Sequence, residues 1–80
     1  MALYSEDDIA LLHEKSDSIV QLYNLKGRQL DHFANGVSLI EYALRRGNNI
    51  RDQFEHIRTF DGVSKAIEPL NTLKQLMVGE

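Results

Sequence analysis

The chain has no cysteine, no tryptophan and a single proline among its 80 residues. Without cysteine there is no disulfide, no thiolate metal site and no cysteine nucleophile. No run approaches the roughly 18 uninterrupted apolar residues of a membrane-spanning helix, so no membrane is expected as a partner. The start, "MALYSEDD", is acidic and lacks a basic stretch leading into an apolar run, which argues against a signal peptide. The cytoplasm is the expected location. A glycine-rich phosphate loop and a serine in a nucleophile-elbow setting are missing too, so nothing recommends the chain as an enzyme.

What is present is an ordinary balance of 42% hydrophobic and 26% charged residues, too apolar for a disordered chain. This length makes one domain, spanning 1–80, near the lower end of what folds on a single core. Helical chains of this size commonly bury further surface against a partner or a second copy. The net charge of −3 conceals a polarity. Residues 1–17 carry five acids against Lys15, and residues 26–58 carry six basic groups against four acids.

Apolar residues recur at helical spacing, and strand-like alternation is nearly absent. Ser5 followed by Glu6, Asp7 and Asp8 reads as a helix start, a capping hydroxyl and then acids at the positive end of the dipole. From there Ile9, Leu12, Ser16, Ile19, Tyr23, Lys26, Leu30, Phe33, Val37, Ile40 and Leu44 step by three and four without a slip. That is a coiled-coil seam, with Ser16 and Lys26 as its imperfect positions.

Residues 35–37 admit two structures. Asn35-Gly36 is a turn dipeptide, and Ser38 with Glu41 fits a capping box, which together would break the helix and give a compact three- or four-helix bundle. The seam, however, keeps its phase from Phe33 through Val37 to Ile40. Gly36 falls on its flank, where a missing side chain lets another helix come close. The favoured expectation is one long helix over about 6–46. Gly47 ends it after Arg45-Arg46. Two shorter helices then return, the first over about 49–59, and Pro69 either starts or kinks the last. The expected fold is all-α, a helical hairpin that pairs into a bundle. "NGVSLIEYAL" and "DGVSKAIEPL" resemble each other, but one partial match does not make a repeat.

No motif is specific enough to name a family. His13 with Asp17, and Asp52 with His56, stand at the i,i+4 spacing of paired metal ligands, but no third ligand accompanies either pair. They read as surface hydrogen-bonding pairs, and no metal or cofactor is expected. "IEYALRRGNNIRDQFEHIR" superficially resembles a helix-turn-helix, with arginines at 45, 46, 51 and 58. Its apolar register suits a hairpin core better, and Asp52 and Glu55 would face phosphates. Leu11, Leu25 and Leu39 recur every fourteen residues off the seam, which on one long helix draws a second apolar line. The expected function is protein binding, by an adaptor, inhibitor, assembly factor or chaperone-like regulator acting on another protein or as a homodimer. Its expected contacts are Leu11, Leu25, Leu39, Arg45, Arg46, Arg51 and Arg58. The alternative is a small nucleic-acid-binding regulator that uses the basic Arg45–Arg58 region.

Overall fold

The computed structural model describes residues 6–79. Its regular elements are α1 (Glu6–Tyr23), α2 (Gly27–Arg45), α3 (Ile50–Ile57), a 3₁₀ segment (Asp61–Ala66) and α4 (Ile67–Val78). The protein is all-α, as its periodicity implies. Ser5, the expected first cap, lies outside the described residues, and α1 opens on Glu6, Asp7 and Asp8.

The long first helix over 6–46 is not formed. An unbroken helix of that span would be roughly 60 Å long, and the longest dimension of the molecule is 38 Å. The interruption lies at residues 24–26 and not at 35–37. Asn24 takes the left-handed conformation, with φ of 54°. Its N–H donates to the Gln21 carbonyl at 3.2 Å, and the Leu25 N–H donates to the Val20 carbonyl at 3.0 Å. These are the paired bonds of a Schellman termination, and asparagine is among the few residues that tolerate its backbone. Leu25 then turns inward and is 5% exposed. Gly27 opens α2 at φ of 64°, where a side chain would be strained. The chain thereby reverses, and α1 lies antiparallel to α2, with His13 against Glu41 and Glu6 against Arg45.

Residues 35–37 stay helical within α2. Gly36 is small for a reason: a Cβ there would stand 2.7 Å from both terminal carbons of Leu70 on α4. Asn35 points the other way, and its Nδ2 donates to the Gly62 carbonyl at 2.9 Å. One turn earlier, His32 Nδ1 accepts the Lys65 N–H at 3.1 Å. The turn dipeptide and His32 together dock the 3₁₀ segment on α2. The two similar stretches therefore differ in structure, the first lying wholly in α2 and the second running from the 3₁₀ segment into α4.

The second corner forms where the glycine and asparagines place it. Gly47 has φ of 73°, and the N–H groups of Gly47 and Asn48 bond the carbonyls of Leu44 and Ala43 at 3.1 and 2.9 Å. The Asn49 side chain caps α3 by accepting the Asp52 N–H at 3.1 Å. Pro69 is the third residue of α4, where a backbone N–H would have no intrahelical acceptor, so the helix starts there without a kink.

The core closes inside one chain. Leu12 and Ile19 of α1 meet Phe33, Ile40 and Leu44 of α2, with Phe54, Ile57, Val63, Leu70 and Leu73 buried against them. The stripe read as one seam is two stripes covered by this chain's own helices. Its imperfect position Ser16 is buried, with Oγ donating to the Leu12 carbonyl at 2.7 Å. Tyr23 ties the end of α1 to α4 through a 2.6 Å hydrogen bond between its hydroxyl and Thr72 Oγ1.

Candidate interaction site

The three leucines do not form a line. Their fourteen-residue spacing has meaning only on a single helix, and the break at residues 24–26 removes it. Leu11 is 38% exposed on α1, Leu25 is in the core, and Leu39 on α2 is half-buried against the core. Leu25 is therefore a packing residue of the first corner and not a contact for a partner.

The arginines are all exposed, but they do not make one patch. Arg45 and Arg46 end α2 and Arg51 lies in the first turn of α3, so three of them gather at the second corner. Arg58 sits at the far end of α3, roughly 10 Å further along the helix. Much of their charge is answered within the chain. Arg45 bonds Glu41 at 3.0 Å and Glu6 at 3.4 Å, and Arg58 bonds Glu55 at 3.3 Å. The Arg46 guanidinium lies 5.3 Å from the centre of the Tyr42 ring, a cation–π contact.

Neither histidine pair acts as a unit. His13 bonds Glu41 across the α1–α2 interface at 2.6 Å, and His56 packs edge-on against Phe60, with ring centres 5.0 Å apart. Among the described residues, no group of three or more potential ligands is gathered for a metal ion. The hydrogen bond from His13, and then that from Arg45, hold the Glu41 carboxyl below the usual carboxylate range. Glu55 is lowered likewise, first by the Lys74 ammonium that bonds it.

The outward side of α2 has features that the residue pattern did not single out. Tyr42 stands 56% exposed. Between α1 and α2 runs a groove of about 270 Å³ lined by Val20, Leu30, Ala34 and Val37, with Asp17 and Ser38 at its edges. A second groove, about 360 Å³, lies on the opposite flank of α2 between Asn35, Leu39, Phe60 and Val63. An alanine and a serine on the solvent side of an amphipathic helix were the available signal, but their meaning depends on how α1 and the 3₁₀ segment rise beside them. Among the described residues, no helix is long and apolar enough to cross a membrane. Comparison with protein-family models, with curated proteins and with solved structures finds no match to this chain.

Proposed function

We propose that the chain is a small helical protein-binding module of the cytoplasm, a regulator or adaptor that acts through the outward face of α2. One observation carries the reading: the core is closed, yet Tyr42 remains exposed one turn along α2 from Ser38, where the two grooves meet, beside arginines that are already partly neutralised. Tyrosine and arginine are the side chains most often found at the centres of protein interfaces. A nucleic-acid surface instead needs a basic excess, and here Glu6, Glu41 and Glu55 pair with the arginines that would supply it.

The test places a photo-reactive residue at position 42, with a control at the exposed Ser64, in lysate from the producing cell. Adducts to a defined protein, this chain included, from position 42 and not from 64 are expected. The reading fails if position 42 forms no protein adduct while DNA or RNA binds near micromolar with a steep salt dependence. Loss of that binding on replacing Arg45, Arg46, Arg51 and Arg58 by Gln would establish the nucleic-acid alternative.

A further inference from the structure

His32 and Asn35 lie one turn apart on α2 and hold the same turn of the 3₁₀ segment by both of its polar ends. The Asn35 amide donates to the Gly62 carbonyl at 2.9 Å, and His32 Nδ1 accepts the Lys65 N–H at 3.1 Å. That carbonyl and that N–H are the two groups that an i→i+3 bond of a 3₁₀ helix would join. The two contacts differ in one respect: an amide does not titrate, and an imidazole does. Nδ1 can accept only while the ring is neutral, with its proton on Nε2. A protonated ring carries a donor at both nitrogens, so Nδ1–H would then face the Lys65 N–H.

We propose that His32 is a pH-sensitive clamp, which holds the 3₁₀ segment on α2 while its ring is neutral and lets that turn open in mild acid. The contact is complete on the alkaline side of the imidazole's titration and is lost as the pH falls through it. The charged groups within a turn of His32 or Lys65 along the chain are Arg28 and Asp31 on α2, Asp61 on the 3₁₀ segment and Glu68 on α4, with Lys65 itself. His56 of α3 adds a second imidazole, packed on Phe60 at the head of the segment. All of these are exposed, so they act on the ring through water and do not alter which protonation state makes the bond. Val63 and Ala66 are buried and keep the segment attached to the core, so the opening is local. Phe60, Gly62 and Val63 also wall the groove beside Asn35 and Leu39, and opening reshapes that border of the α2 face. This last consequence rests on the protein-binding reading above; the clamp itself does not.

Amide exchange in the isotope-labelled chain reads the clamp residue by residue. Between about pH 8 and about pH 5, protection of the Lys65 N–H, corrected for its intrinsic rate, should fall about tenfold or more. The N–H of the core residue Leu44 should change far less. His32→Asn keeps an oxygen acceptor near the place of Nδ1 but cannot titrate, so protection should remain and its fall should vanish. His56→Asn should leave the fall as it is. Equal Lys65 protection in the wild type at both pH values overturns the proposal, as does a fall that persists in His32→Asn or disappears in His56→Asn. If the clamp responds as expected while position 42 forms no protein adduct at either pH, the binding reading fails and the clamp stands.

Discussion

Two stretches, Asn24-Leu25-Lys26-Gly27 and Asn35-Gly36-Val37, each open on asparagine and carry a glycine, and only the first ends a helix. At the first, the left-handed backbone of Asn24 and the inward turn of Leu25 give the chain something to gain by stopping. At the second, continuing the helix lets Gly36 admit Leu70, and Asn35 spends its amide on the neighbouring 3₁₀ segment. A breaker residue thus marks a place where a helix can end, and the apolar side chain beside it decides whether it does.

The largest loss is expected at Leu25. Leu25→Ala should destabilise the fold by about 2–4 kcal/mol in denaturant unfolding, as buried leucine truncations do. Leu11→Ala, on the surface, should change it by less than about 0.5 kcal/mol. Equal, small effects would return Leu25 to the surface and remove the first corner.

Gly36→Ala comes next. Helix propensity favours alanine by roughly 1 kcal/mol, but overpacking Leu70 costs about 1–3 kcal/mol, so a net loss near 1 kcal/mol is expected. In a Leu70→Ala background the same change should turn neutral or favourable, a coupling that a double-mutant cycle isolates. Additive effects would show that α4 does not approach α2 at this point.

Smaller still, Asn24→Gly should gain a few tenths of a kcal/mol, because glycine is the preferred residue in a left-handed helix terminus. Ser38→Ala, mid-helix in α2, should be neutral or slightly favourable, whereas loss of a true N-cap would cost about 1 kcal/mol. A loss at Ser38 with no response at Asn24 would exchange the roles of the two stretches.

The smallest effect is the acid dependence. Glu41 bridges α1 and α2, and its folded carboxyl lies below the ordinary value of 4.5. Its contribution to stability is therefore complete above that value and is lost as the pH falls through the lowered one. Glu41→Gln should reduce the slope of unfolding free energy against pH in that acid window and leave it unchanged above pH 5.5 or so. An unaltered acid slope would mean that the His13–Glu41–Arg45 contact does not persist in solution.

Much of this fold was legible in the residues, though the first corner was not. Gly47, Asn49 and Pro69 announced their roles because their chemistry acts on their own backbone: a left-handed stop, a cap, a missing N–H. The break at Asn24 was hidden by the unbroken spacing of Tyr23, Lys26 and Leu30. Spacing reports which side of each helix is apolar. It does not report continuity, since two stripes that face each other across a hairpin need no change of phase between them. The charged Lys26 at a seam position, followed by glycine, was the visible sign. The leucine line failed with the helix that carried it. The outward face of α2 was less legible still, because a groove belongs to the neighbours of Ala34 and Ser38 as much as to those residues. "NGVS" and "DGVS" make the same point, with near-identical letters in different helices.

The closed core and the outward face of α2 both depend on α1 folding back along α2. Spin labels on cysteines introduced at Ala10 and Arg46, both exposed, would measure this by double electron–electron resonance in a chain diluted with unlabelled protein. A folded-back α1 sets the labels within about 25 Å of each other, whereas one continuous helix would hold them roughly 54 Å apart. The short distance is the expected result, and a population centred near the long one would contradict the break at residues 24–26, the closed core and the outward face of α2 together.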